Sequence, residues 1–271
     1  MSGEPDPLYV QARSALLDAT DALADHLDAI VLVGAQALYL QTGEADLFDT
    51  VAPYTTDADF SINPLDLSDS PLLAELLEAR GFQTNIEEVG RWTSPNKVYV
   101  DLLVPEMLAG AGTRAARLES HGKRVARRAR GLEASLVDRD LRTISALDPA
   151  DSRSVTMNVA GPGALLVAKI HKIAERADKP HRLSEKDSLD VLRLLQATET
   201  AELADRLKKL LDDELSASVT AEAIENLTPL FGSADAVGVQ MAVQAAGPGA
   251  DPDFISASMT TLVSDLVIAL T

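Results

Sequence analysis

Asp57-Ala58-Asp59 is the stretch of this chain whose residue types and spacing are best suited to chemistry. Side chains at i and i+2 of a strand leave the same face. The two carboxylates therefore point together, while Ala58 and Phe60 point the other way. Two carboxylates side by side repel, and a cation between them relieves the repulsion. Paired hard oxygen ligands suit Mg²⁺, which keeps waters and substrate phosphates as its other ligands. Upstream, Val31-Leu32-Val33-Gly34-Ala35 reads as an apolar strand that breaks at a glycine into a short helix. The first N–H groups of a helix can meet a phosphate, so Gly34 and Ala35 are candidates for that contact. A third acid, Asp101, lies in Lys97-Val98-Tyr99-Val100-Asp101-Leu102-Leu103-Val104-Pro105. There Val98, Val100, Leu102 and Val104 share one face, and Tyr99, Asp101 and Leu103 share the other. An unpaired charge in so apolar a strand is costly, which marks Asp101 as a third metal ligand or a base. Metal and phosphate together suggest nucleotide chemistry.

The cations to match a phosphate chain come later. Lys169, Lys172 and Arg176 fall at i, i+3 and i+7, one stripe of a helix. Leu165, Leu166, Ile170, Ile173 and Ala177 form its apolar face. Such a stripe can hold a triphosphate, Lys as a point charge and Arg as a fork. A solvated helix face has the same spacing, and the helix alone favours that plainer reading. Ser184-Glu185-Lys186-Asp187 then opens another helix. Asp187 fits a capping box, though it is shorter than the usual Glu. It also shares a face with Asp190, Val191 and Leu194, a mixture that points into a cleft.

In this order the residues resemble the DNA-polymerase-β-like nucleotidyltransferase superfamily, which has a glycine turn after its first strand, Asp-x-Asp on the next and a third Asp on a later strand. The superfamily's turn is usually Gly-Gly or Gly-Ser; here it is Gly34-Ala35, so phosphate contact would rest on backbone amides. The Lys-bearing helix followed by Lys186-Asp187-x-x-Asp190 resembles a narrower branch, the AbiEii-type nucleotidyltransferase toxins, of which the MenT toxins are relatives. These are toxin halves of bacterial type IV toxin–antitoxin and phage-defence systems. The resemblance spans residues 28 to 195. It implies that Asp57 and Asp59 bind metal, that Lys169 contacts the nucleotide, and that Asp187 is also needed. It implies Mg²⁺ as cofactor, an NTP as substrate, and transfer of NMP to a hydroxyl of RNA or protein with release of pyrophosphate. An antitoxin protein would be a partner. Two other functions fit the same residues: modification of an aminoglycoside-like antibiotic, whose positive charge would suit an acidic protein, and nucleotide or partner binding without turnover.

Composition narrows the setting. The chain has 271 residues, 46% of them hydrophobic, which supports a globular fold with a real core. It has no cysteine, so disulfides and thiolate metal sites are excluded, and a reducing cytoplasm is expected. The acidic start Met1-Ser2-Gly3-Glu4-Pro5-Asp6 is not a secretory signal, and no membrane span is expected. The net charge of −18 argues against broad binding to nucleic acid. Yet residues 114–130 carry Arg114, Arg117, Lys123, Arg124, Arg127, Arg128 and Arg130 against Glu119 alone. That segment is a candidate contact for an RNA acceptor, or a solvated face that pairs with the acidic body.

The elements expected to position these residues divide the chain in two. Residues 1–160 read as an α/β (α+β) nucleotidyltransferase core with a mixed sheet, and 161–271 as a C-terminal helical bundle that completes the site. The first helix should run from Leu8 to Leu27, with Leu16, Thr20, Leu23 and Leu27 inward. Ala29–Val33 is an apolar strand and Ala35–Gln41 a short helix stopped at Thr42-Gly43. Ser70-Pro71 should start a helix ending at Gly81. Phe82–Thr93 and Lys97–Val104 should pair as a hairpin around Ser94-Pro95-Asn96. Leu132–Val137, Arg142–Leu147 and Ser154–Val159 are further strand candidates. After Gly161-Pro162 only helices are expected, over 162–177, from 184, and over 200–215, 220–231, 234–246 and 252–270.

Overall fold

A computed structural model describes residues 5–43, 55–85, 87–177 and 185–271 of the protein. It is an α/β chain with a mixed eight-stranded sheet in the first part and, among the described residues, helices alone after it. The opening helix α1 (Pro7–Ala22) is capped by Asp6, whose side chain accepts the Leu8 N–H at 2.7 Å. It ends five residues earlier than the apolar stripe suggests, and a 3₁₀ turn over Ala24–Ala29 follows. The turn keeps Leu16, Thr20 and Leu23 buried and draws His26 inward, where its Nε2–H donates to the Pro71 carbonyl at 2.8 Å. Strand β1 (Ile30–Val33), fully buried, runs into α2 (Gly34–Thr42), which stops at Gly43 with φ of 79°. Residues 44–56 are expected from the sequence to form a loop, and 44–54 of them lie outside the described residues.

The next stretch holds β2 (Asp57–Ile62), α3 (Leu73–Ala79), β3 (Gln83–Thr84), β4 (Arg91–Thr93) and β5 (Tyr99–Pro105). Three expectations are corrected here and just beyond. Helix α3 starts at Leu73 rather than Ser70-Pro71, and the Leu73 N–H finds its cap in His121 Nδ1 at 3.1 Å. The long strand expected over Phe82–Thr93 is two short ones, because Asn85 turns the chain by accepting the Glu87 and Glu88 N–H groups at 2.9 and 3.2 Å. Leu132–Val137 is not a strand but contains a 3₁₀ turn, Glu133–Leu136. Its backbone bonds locally instead of along a ladder, the Ser135 N–H donating to the Leu132 carbonyl at 3.0 Å and the Val137 N–H to the Ala134 carbonyl at 3.1 Å, while Glu133 Oε1 accepts the distant Met107 N–H at 3.0 Å. Strands β6 (Arg127–Ala129), β7 (Arg139–Ser145) and β8 (Ser154–Ala160) complete the sheet.

The strand order is β3-β4-β5-β2-β1-β8-β7, with β6 also on β5. β2 lies antiparallel to β1 and parallel to β5, so the sheet is mixed as expected. β4 and β6 share one edge of β5, β4 along Tyr99–Asp101 and β6 along Leu103–Pro105. Gly90 makes the handover possible. It has φ of +79°, and a Cβ there would sit 2.5 Å from the Arg127 nitrogen and 2.8 Å from the Leu102 oxygen. Helices α4 (Pro162–Ala177), α5 (Glu185–Ala197), α6 (Thr200–Asp212), α7 (Ala217–Phe231), α8 (Val237–Ala246) and α9 (Pro252–Leu270) follow. α4 and α5 pack on α2, and one continuous apolar cluster runs through strands and helices alike. By length and composition α9 could cross a membrane; here Ile255, Met259, Val263 and Leu266 are buried against the other helices.

Pairing register decides which side chains share a face. Ala58, Phe60, Val100, Leu102 and Trp92 are buried on the side that packs on α1. Asp57, Asp59, Tyr99, Asp101, Arg91 and Thr93 share the opposite side. The β4–β5 hairpin that sets this register turns through Lys97, the one non-glycine residue among those described with positive φ, at 65°. An L-residue there costs about 1–2 kcal/mol, and glycine gives back about 0.4–1 kcal/mol through the unfolded chain. Lys97→Gly should therefore raise stability by up to about 1 kcal/mol, read as a higher melting midpoint at unchanged denaturant slope.

Candidate active site

Two rows of side chains cross the open face of the sheet. In one, Thr93 pairs with Tyr99 and Tyr99 with Asp57; in the other, Arg91 pairs with Asp101 and Asp101 with Asp59. The acids expected from the sequence to meet are thus on neighbouring strands, in register. Thr55 Oγ1 donates to Asp57 Oδ1 at 2.7 Å. Asp59 lies against the start of α2: a Cβ at Gly34, where φ is +70°, would come within 2.1 Å of Asp59 Oδ2. Gly34 therefore admits a carboxylate at the helix start, the place where the sequence suggested a phosphate on Gly34 and Ala35.

Asp59 keeps some solvent exposure, but protein atoms surround its carboxyl group. Burial, then the charges of Asp57 and Asp101, push its pKa up to about 7 against the pull of Lys172 and Arg127. The carboxylate pair is under-compensated, which is the condition that favours a cation. Asp57 and Asp59 fit an Mg²⁺ ion held through two carboxylates.

Asp101 does not join them as a ligand. It is 1% exposed, and its oxygens are taken. Arg91 Nε donates to Oδ1 at 2.8 Å and Arg91 Nη2 to Oδ2 at 2.9 Å, and Arg127 Nη2 donates to Oδ2 at 3.0 Å. Burial would raise its pKa, but the Arg91 hydrogen bonds and the charges of Arg127 and Arg91 hold it below the usual carboxylate range. Among the described residues no set of three acids or histidines is placed to hold an ion, so the three-carboxylate metal site expected from the sequence reduces to a pair.

The helical half also departs from expectation. Lys169 does not face the aspartates of the sheet. It is 7% exposed, and its Nζ donates to Asp187 Oδ1 at 2.8 Å and to Asp190 Oδ2 at 2.7 Å. Burial lowers the pKa of Lys169, but the two acids outweigh it and raise the value on balance. Asp187 also accepts Lys172 Nζ at 2.9 Å and lies 3.8 Å from Arg176 Nη1. Burial works against its ionisation, and Lys169 and Lys172 overcome that and keep it charged. The reason for the departure is helical geometry. Lys169 is on the side of α4 that packs on α5, and Lys172, further round, is the cation of the stripe within electrostatic reach of Asp59. Burial and the adjacent Lys169 lower the pKa of Lys172. Asp187 is a hub for these cations; its capping partner Ser184 is outside the described residues.

Several residues enter the site with no role assigned to them from the sequence, Lys186 having served there only as part of the Lys186-Asp187-x-x-Asp190 motif. Lys186 lies 5.8 Å over the Tyr39 ring and within the field of Asp57. Gln36, 1% exposed, donates through Nε2 to the Asp57 carbonyl and the Ala12 carbonyl, each at 3.0 Å, and accepts Arg13 Nε at 2.9 Å. Arg13 donates onward to Tyr9 Oη at 2.8 Å and the Ser145 carbonyl at 2.9 Å. This buried relay fixes the start of β2 to α1 and β7. Buried polar residues on an apolar helix were the available signal for Arg13 and Gln36. For Arg91 it was hairpin register, since pairing about Ser94-Pro95-Asn96 puts it opposite Asp101. Three of the seven cations of the basic segment are spent internally: Arg127 on Asp101, Arg128 on Glu106 and the Gly110 carbonyl, and Arg130 on Glu106 and Glu222. The side chains of Arg114, Arg117 and Lys123 lie at the surface.

Searches of protein-family models, of curated proteins and of solved structures found no match to this chain.

Two outcomes follow from the geometry. An aspartate of pKa 3.8 when unfolded and about 7 when folded binds its proton more tightly in the folded state. Its contribution to stability is full below the lower value and is lost as pH rises through the higher one, at about 1.4 kcal/mol per unit. The melting midpoint of the metal-free protein should therefore fall relative to Asp59→Asn between about pH 4 and pH 7, and Mg²⁺ should restore it only in the parent. Lys169→Ala leaves two buried acids short of a partner and should cost about 3–5 kcal/mol, seen in chemical denaturation.

Proposed function

We propose that the protein is an Mg²⁺-dependent nucleotidyltransferase that moves NMP from an NTP to an acceptor hydroxyl. The observation that carries this reading is the under-compensated Asp57/Asp59 pair, set against the Gly34 turn with Lys172 and Lys186 on the helices beside it. Asp57 and Asp59 would hold Mg²⁺, which supplies charge neutralisation at the triphosphate. Lys172 and Lys186 bind the phosphate chain from the helical side, with Arg176 further along α4. The Lys169–Asp187–Asp190 cluster positions them by fixing α4 to α5. The acceptor oxygen forms a bond to the α-phosphorus, the bond to the β-phosphate bridging oxygen breaks with its electron pair, and pyrophosphate leaves. The hydroxyl proton passes to solvent water; Asp101, while Arg91 and Arg127 hold both of its oxygens, does not take it. The motif resemblance to AbiEii-type toxins extends the proposal to the toxin of a type IV toxin–antitoxin pair, with an antitoxin as partner.

Incubation with each α-labelled NTP, Mg²⁺ and total cellular RNA or protein should move label to a macromolecule and release pyrophosphate. Asp57→Asn and Asp59→Asn should each lower that rate by at least about 100-fold while the protein stays folded. Lys172→Ala should raise KM for the NTP by about tenfold or more with a much smaller loss of stability than Lys169→Ala. Labelling that persists undiminished in both aspartate variants would overturn the reading.

A further inference from the structure

The clamp around Asp101 differs from an ordinary buried ion pair. Its acid is inaccessible, with a side chain 2% exposed, but its cations are not: the Arg91 side chain is 25% exposed and that of Arg127 38%. A guanidinium fork joined by a second guanidinium around one oxyanion is the arrangement by which arginine holds phosphate. Gly90 supports it, since only a residue without a Cβ lets β6 reach β5 there and bring Arg127 to Asp101. Glu88 takes Arg91 Nη1 at 2.5 Å and orients the fork from outside.

A second observation lies beside it. Tyr99 is 42% exposed, in a strand whose other side chains are buried, and the Arg91 guanidinium sits 4.9 Å over its ring. An exposed aromatic flanked by arginine is a platform on which a nucleobase stacks. Tyr99 is the register partner of Asp57, so a group on its ring lies next to the carboxylate pair.

We infer that Arg91 and Arg127 form a phosphate site for the acceptor, that the Asp101 carboxylate occupies this site until the acceptor arrives, and that Tyr99 carries the ring next to that phosphate. The role as acceptor site rests on the nucleotidyltransferase reading; the anion site itself does not. The phosphate exchanges with Asp101 on the two guanidiniums, which frees the carboxylate toward Asp59. The site is thereby completed by the molecule it acts on.

The test is equilibrium binding to the full chain without NTP or metal, using inorganic phosphate by calorimetry and a fluorescent single-stranded oligoribonucleotide by anisotropy. Asp101→Asn, which removes the charge of the resident carboxylate, should tighten binding of both probes by about tenfold or more. Adding Arg127→Gln should abolish that gain, and adding Tyr99→Ala should weaken the oligonucleotide alone by about fivefold or more. An oligonucleotide bound more tightly than phosphate identifies a nucleic-acid source for the phosphate, and equal affinity identifies a small phosphorylated acceptor; either supports the site. Asp101→Asn no tighter than the parent, or a gain that survives Arg127→Gln, overturns it. If Asp101→Asn does not fold, Arg127→Gln against the parent decides, since Arg127 is partly exposed: unchanged affinity for both probes refutes the site. Because no turnover is measured, this binding pattern can stand if no NTP is consumed, and it can fail while NTP turnover holds.

Discussion

Like charges in register on adjacent strands are the constraint around which this molecule is arranged. Asp57 and Asp59 on β2 and Asp101 on β5 are brought together by backbone hydrogen bonds that are indifferent to side-chain repulsion. Whatever settles the carboxylates must therefore come from elsewhere in the chain. Arg91 comes from the neighbouring hairpin strand, Arg127 from a strand admitted by a glycine, and Lys172 from a helix of the second half. The three answers are unequal. Asp101 is fully compensated, and Asp59 is not. That inequality separates an acid already satisfied by protein from a pair that still favours a cation.

The buried charges of the helical half have a different task. Lys169 pairs with Asp187 and Asp190 away from the sheet, while Asp190 Oδ1 has no hydrogen-bond partner among the described residues. Removing one member of such a cluster costs more than the cluster contributes when whole, so it acts as a lock on the relative setting of α4 and α5. The two cations next to it in sequence, Lys172 and Lys186, are then carried toward the carboxylates by helices that cannot slide independently. Gln36 does the equivalent work on the sheet side, where one amide group holds the backbone of Asp57 to α1. A site assembled from several elements is kept in register by buried polar contacts that never touch the reacting groups.

The sequence disclosed periodicity well and partnership poorly. The alternation around Asp57 and Asp101 gave the strands and the face they share, and Gly43 and Gly81 marked real stops. Helices from Pro162 onward follow their apolar spacing closely. The failures share a cause. Ser70-Pro71 looked like a helix start because the competing cap, His121, is distant in sequence. Leu132–Val137 looked like a strand because Ser61 and Met107, which bond its side chains, are distant too. Lys169 meets Asp187 and Asp190 rather than the acids of the sheet for the same reason: a helical stripe says which residues are neighbours, not which of them meets the next helix. Arg91 opposite Asp101 was within reach of local reasoning, because hairpin register is a local property.

The pairing of β1 with both β2 and β8 has a temporal consequence. On a ribosome the chain emerges from its N-terminus, and domains fold as their parts become available. β2 and β5 can meet early, but β1 lacks its second neighbour until Ala160 has been made, Arg13 lacks the Ser145 carbonyl until β7 exists, and Lys172 and Asp187 come later still. During most of its synthesis the nascent chain therefore carries the carboxylates without the helices that set Lys172 and Lys186 within electrostatic reach of them. The charged cluster between the two helices is complete only once α5 docks on α4.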